Sequence, residues 1–347
     1  MSRSGTAVRA GVLGGVIVVA VTAFIYFDQD SPGPSAVAGE TETEQAPTSS
    51  QLPEALNDGY VFERLDDPPR TVARDSRSVV AATMTDGART VLLAGPSRTF
   101  NEPKATSAQV TTNAWVRLAP QAWRVGEESA SWFRPWLTKA LGDTSPDVLA
   151  VATEYFAGAA ARKNAEGVRF SGDASFGPIR ASGAGRLEQS DFYDYLGVPW
   201  TFGDGTRARP DSAHYGSVDC SGFVRLVYGY RMNYPLLNTN TAGPGLPRRA
   251  FAMAKFGPGV TPVPDSGKRA TAYDSLQSGD LVFFEVEGGA DELDHSGIYL
   301  GVDSDGHHRF MSSRERINGP TLGDVGGTSL LDDGGMYSRG FRAARRI

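Results

Sequence analysis

Cysteine and histidine are the scarce residues of this chain, which has one cysteine, Cys220, and four histidines, His214, His295, His307 and His308, among 347 residues. A lone cysteine excludes an internal disulfide, so packing has to hold the fold in any compartment. Thiols and imidazoles this sparse, at no zinc-type spacing, exclude a zinc-finger-like metal site, and no other motif asks for a cofactor. Lysine and arginine number 34 against 40 acids, and the net charge of −6 is spread along the chain without a basic stripe. Nucleic acid is therefore disfavoured as a partner. The apolar fraction of 40% is enough for one large core or two ordinary ones.

A long apolar run, "GVLGGVIVVAVTAFIYF", stands at 11–27 behind Arg3 and Arg9. It is short for a membrane span and long for a signal-peptide core, and its basic leading flank orients the rest of the chain outward. Residues 1–27 read as an uncleaved signal anchor in preference to a signal peptide cleaved after "AVA", before Gly39. Pro, Ser, Thr, Gly and acids dominate 28–57 and predict a disordered linker, a tether with a reach of roughly 30 Å. Residues 58–140 carry short alternating runs, "SVVAATM" and "RTVLLAG" across the Asp86-Gly87 turn signal and then "AQVTTNAWVRL", which predict a small β-rich module. Trp115, Trp123, Trp132 and Trp136 are assigned to its core in preference to a glycan-binding surface.

From 141 to the end the pattern is α+β. "SPDVLAVATEYFAGAA" predicts a helix capped by Ser145, with an apolar stripe from Val148 to Phe156. "SDFYDYLGVPWTFGDG" predicts a short capped helix running into a loop. "VDCSGFVRLVYGY" then places Phe223, Leu226, Val227 and Tyr230 on one helical face, with Cys220 in the first turn. "LQSGDLVFF", "SGIYLG" and "HRFMSS" come next as antiparallel strands, the last two joined at Asp305-Gly306. The Gly-rich "NGPTLGDVGGTSLLDDGG" reads as a surface connection rather than a loop over a groove.

At a helix start, free N–H groups and the helix dipole favour thiolate, and a histidine beside it brings the pKa from ~8.5 into the range of roughly 4–7. The helix start alone leaves two readings open for Cys220, an activated nucleophile and a small apolar filler. His295 begins a strand after an acidic loop, where a base can project from a sheet edge towards a helix end. His307, His308 and His214 read as turn or loop histidines.

Taken together, "LGVPWTFGDG", "VDCSGFV", "LQSGDLVFF", "DHSGIYLG" and "HRFMSS" resemble, in order, the blocks of NlpC-type cell-wall cysteine peptidases over 187–347. The resemblance implies a papain-like catalytic domain, with N-terminal helices packed on an antiparallel sheet. It also implies a peptidoglycan hydrolase that acts on stem peptides, typically at the γ-D-glutamyl bond to diaminopimelate or lysine. Carried over position by position, Cys220 is the nucleophile and His295 the base, with backbone N–H groups at the helix start as oxyanion donors. Trp200 stands where the family usually has a groove tyrosine, and Asp219 and Ser221 flank the nucleophile as further substrate-side residues, Asp219 as a cap or fixing contact. The imidazole's orienting partner falls on Ser312, where the family usually has His, Asn, Gln or Asp; His308 and a backbone carbonyl remain open as alternatives. Hairpin parity puts Ser312, Arg314 and His308 on the face of His295. The expected partners are thus peptidoglycan stem peptides and, through the N-terminal run, a membrane, with the catalytic domain outside the cell. A thiol-dependent acyltransferase and a non-catalytic wall-binding scaffold are the rival readings.

Overall fold

The structure, a computed structural model, describes residues 59–287 and 292–347, and these form one compact unit. The apolar run 11–27 and the linker 28–57 lie outside the described residues, among which no helix is long and apolar enough to cross a membrane.

Five strands, β1 (Val61–Asp66), β2 (Pro69–Arg74), β3 (Val80–Thr85), β4 (Thr90–Asn101) and β5 (Gln109–Leu118), pair antiparallel in sequence order. The turn between β3 and β4 uses Gly87 at φ +80, a left-handed conformation that costs glycine little. Trp123 is fully buried below this sheet with its ring 4.6 Å from that of Phe133, and Trp132 lies 6.2 Å from Trp136. The aromatic payload therefore fills a core.

Helices α1 (Phe133–Gly142) and α2 (Val148–Thr153) lead into the second half. Asp147 caps α2 in place of Ser145, its carboxylate accepting from Ala150 N at 3.0 Å. The same carboxylate pairs with Arg98 at 2.6 Å and accepts from Val116 N at 2.7 Å, so the helix start is set by the first sheet. The helix ends at Thr153, earlier than its apolar stripe suggests, although Tyr155 and Phe156 are still buried.

Two small hairpins, β6 (Arg162–Lys163) with β7 (Arg169–Ser171) and β8 (Trp200–Thr201) with β9 (Arg207–Ala208), flank α3 (Phe192–Leu196). The cysteine helix α4 (Cys220–Val224) continues as a π-helical stretch, Arg225–Arg231. The wider turn carries Tyr228 inward, fully buried with its hydroxyl donating to Gly279 O, and leaves the expected Tyr230 half-buried. Helix α5 (Ala250–Phe256) precedes an antiparallel six-stranded sheet that includes the last strand of the chain. Its strands are β10 (Val260–Val263), β11 (Leu281–Phe284), β12 (His295–Val302), β13 (His308–Arg314), β14 (Gly319–Thr321) and β15 (Phe341–Arg346), in spatial order β10-β15-β11-β12-β13-β14, with α6 (Met336–Gly340) before β15.

Helix α4 packs on β12 and β13 through a core that includes Phe223, Leu226, Val227, Ile298 and Met311. Each such side chain contributes roughly 1.5–3 kcal/mol on burial. Phe100, Val110 and Val116 of the first sheet belong to the same core. Arg89 N and Thr90 N both donate to Ile347 O, at 3.0 and 2.6 Å, which ties the end of the second sheet to the first.

Candidate active site

The start of α4 is built around Asp219. Its Oδ1 accepts from Gly222 N at 2.7 Å and its Oδ2 from Gln189 N at 3.0 Å, which fixes the turn that presents Cys220. Arg248 pairs with Asp219 at 2.7 Å and with Asp191 at 3.3 Å, and Arg225 pairs with Asp191 at 3.0 Å. Gly222 is required here, because a Cβ would meet Ser190 O at 2.2 Å. Burial of Asp219 works to raise its pKa, but the Arg248 guanidinium outweighs that and holds the carboxyl below its ordinary value. Ser221 Oγ donates to Asp219 at 3.1 Å and accepts from Arg248 at 2.7 Å. The polar atoms of Asp219 and Ser221 are thus engaged inside the protein. The substrate contacts expected of both residues give way to a structural role.

Cys220 is half-buried and His295 is 8% exposed, and both line one cavity of about 220 Å3. Phe176, Glu188, Arg314 and Tyr337 share the lining. The Cys220 thiol donates to Asp294 O across 3.8 Å. Burial pushes the thiol up to about 12, and Asp219 and Glu188 add to the rise. Burial likewise lowers His295 to about 3, with the positive charge of Arg314 adding to the effect. At neutral pH the resting pair is a thiol and a neutral imidazole, whereas the sequence suggested a thiolate. A helix of five residues does not offset desolvation plus two nearby carboxylates. A neutral imidazole is still the form needed to accept a proton from the thiol as it attacks.

The orienting partner differs from expectation. Pairs Ile298↔Met311 and Tyr299↔Phe310 confirm the parity that puts Ser312 and Arg314 on the face of His295. Yet Ser312 Oγ accepts from Arg314 Nε at 2.9 Å, while His295 Nε2 is buried without a hydrogen-bond partner. The imidazole is held instead between rings, 5.1 Å from Tyr337 and 5.9 Å from Phe284. His308 is taken up at the other end of the hairpin, its Nδ1 2.7 Å from the Tyr299 hydroxyl. His214 bonds Ser190 Oγ at 2.7 Å and His307 pairs with Asp332 at 3.2 Å. We expect Ser312→Ala to act on stability first, by about 1–3 kcal/mol, because it strands a buried guanidinium N–H. Chemical denaturation checks this, and its loss of activity should stay far below that of Cys220→Ala.

Trp200 is not in this cavity. It packs edge-on against Phe192 at 5.1 Å and Tyr230 at 5.9 Å, and it lines a separate cavity of about 500 Å3 with Asn233, Tyr234 and Leu236. The Gly-rich run, read as a surface connection, instead reaches the site, since Gly326 lines the cavity and Leu330 and Leu331 are buried. Arg314 and Tyr337 are among the cavity residues that spacing did not assign. Arg314 was marked only by parity, and Tyr337 comes after an irregular segment in which periodicity carries no signal.

Arg314 is 2% exposed and bonds only neutral groups: Ser312 Oγ, the Gly323 and Gly327 carbonyls and Ser329 Oγ. Its guanidinium also lies 4.5 Å from the Tyr337 ring centre. Among the described residues it has no carboxylate partner at ion-pair distance.

Residues 197–329 match the model of the NlpC/P60 family, and this segment contains Cys220, His295 and Ser312. The resemblance drawn from the motifs is thereby shown over that segment, and the mixed helix and sheet content is consistent with a papain-like fold. NlpC/P60 proteins are generally cell-wall peptidases and typically cysteine peptidases. A solved NlpC/P60 family protein from Bacillus cereus ATCC 10987 is similar at 15% identity, over 82% of this chain and 78% of that one. Its TM-score of 0.26 is too low to carry an argument. No curated protein matches the chain.

Proposed function

We propose that this chain is a peptidoglycan endopeptidase that cuts an amide bond of the stem peptide, at the γ-D-glutamyl link to diaminopimelate or lysine, with Cys220 as nucleophile and His295 as base. The observation that carries the reading is that the only thiol and a neutral imidazole open onto one cavity at a helix start and a strand start. His295 takes the thiol proton as sulfur bonds to the carbonyl carbon. It returns that proton to the leaving amine, and water then hydrolyses the thioester to restore the thiol. A cavity of about 220 Å3 suits the acyl side of one residue rather than a whole peptide.

Mass spectrometry of muropeptides after incubation of peptidoglycan with the protein and with Cys220→Ala tests the reading. New stem-peptide fragments that depend on the thiol support it, and identical digests from both proteins refute it. The unpartnered His295 Nε2 is the one observation that favours the rival, a non-catalytic wall-binding protein, and the same experiment separates the two. The N-terminal run further supports a membrane-tethered enzyme outside the cell, working on wall near the membrane. Fractionation should then find the full chain in membranes, and a soluble form starting near Gly39 would replace the tether with secretion.

A further inference from the structure

Tyr337 lines the catalytic cavity and, like His295 with its free Nε2, has a polar atom with nothing to bond among the described residues. Its side chain is 4% exposed and lines the cavity with Cys220 and His295, and its hydroxyl makes no hydrogen bond among the described residues. A phenol that buried usually finds a partner for its O–H. The hydroxyl is not among the fully enclosed orphan atoms either, so its free side opens on the cavity.

The ring is fixed from three sides. It lies 5.1 Å from the His295 ring, 5.4 Å from Phe284 and 5.3 Å from Phe310, and the Arg314 guanidinium stands over it at 4.5 Å. Helix α6, which carries it, is pinned just after the tyrosine. Arg269 donates to Ser338 Oγ at 2.7 Å, and Glu285 N donates to Gly340 O at 2.9 Å. Trp200, at the position of the family's groove tyrosine, faces a different cavity and has no hydroxyl to offer. Tyr337 lies beyond the matched segment 197–329.

The geometry points to Tyr337 as a catalytic hydrogen-bond donor to the oxygen that becomes negative when Cys220 attacks a carbonyl, acting beside the free N–H of Cys220. This rests on the thiol chemistry proposed above. Sulfur bonds to the carbonyl carbon, the π pair moves to oxygen, and the Tyr337 O–H donates a hydrogen bond to that oxygen without losing its proton. When the pair returns, the C–N bond breaks and the amine leaves with the proton held by His295. The Cys220 N–H has no protein acceptor among the described residues, so two donors are available. The buried guanidinium behind the ring, with no carboxylate to neutralise it, favours negative charge at that place.

The substitution Tyr337→Phe removes the hydroxyl and keeps the ring, its stacking and its cation contact. It breaks no hydrogen bond among the described residues, so the variant should fold as the native chain does. Two readouts are needed, muropeptide cleavage and the burst of nitrophenol as Cys220 is acylated by p-nitrophenyl acetate. We expect Y337F to lower kcat for cleavage and the burst rate by about 10- to 100-fold, with KM within about twofold. If the native chain gives a Cys220-dependent burst but no muropeptide fragments, the endopeptidase reading falls and the burst alone decides the role of Tyr337. A burst in Y337F equal to that of the native chain overturns the proposal, and so does a native chain with no Cys220-dependent burst.

Discussion

Replacing Cys220 by alanine should reduce stem-peptide cleavage to background, and His295→Ala should reduce it by about 10^4-fold or more, with the folded structure intact by circular dichroism. Nucleophile and base act as one unit, so the two losses should not multiply in the double variant. The pH dependence is more diagnostic than the size of the loss. With the thiol pushed up to about 12, the thiolate fraction rises about tenfold per pH unit through the neutral range, and alkylation of Cys220 by iodoacetamide should rise with it from pH 7 to 10. A plateau below pH 8 would show that the free enzyme holds a thiolate after all. Cleavage should survive acid better than an ordinary histidine allows. A base must be unprotonated, and His295, lowered to about 3, stays neutral well below its ordinary value of about 6.5. An acid limb centred near pH 6.5 would mean that substrate binding rebuilds the charge environment of the imidazole.

What the sequence made legible is the placement of Cys220 and His295, and the physical reason is local. An Asp cap and a four-residue apolar strand are short-range signals that fix the helix start and β11. Strand parity also carried, because a side-chain period of two survives until a bulge intervenes, and the irregularity between Tyr299 and Gly301 lies past the residues that matter.

Three features were not legible. The electrostatics of Cys220 depend on burial and on Glu188, which lies 32 positions away in sequence and reaches the thiol only through the fold. The partner of Ser312 is decided by competition, since a guanidinium two residues on takes the hydroxyl that an imidazole would otherwise share. Trp200 was assigned by position in a motif, yet the side of a short hairpin that a ring faces depends on Phe192 and Tyr230 packed against it. Tyr337 shares the last of these difficulties, being placed by packing at the end of a segment without period.

Asp219→Ala should be the most destabilising change near the site, at about 3–5 kcal/mol in chemical denaturation, because it removes a cap and half of the neutralisation of a half-buried guanidinium and leaves a buried pair broken. Asp219→Asn keeps an acceptor for Gly222 N and should cost less. The sign of the pH effect is set by the depressed folded-state pKa. Stabilisation by the Asp219 carboxylate is complete above its unfolded value of about 3.9 and disappears as pH falls through the lower folded value. The gap between native chain and Asp219→Ala should therefore be constant from pH 5 to 8 and narrow below about pH 4. A gap that instead narrows near pH 6 would point to a histidine as the coupled group. The double variant Asp219→Asn with Arg248→Met separates charge from packing. If the cost lies in a stranded cation, removing Arg248 recovers part of the loss, since Asp191 keeps Arg225 as its partner. If the double variant loses the sum of the single losses, the pair is not the source of the stability, and the backbone bonds to Gly222 and Gln189 are what Asp219 supplies.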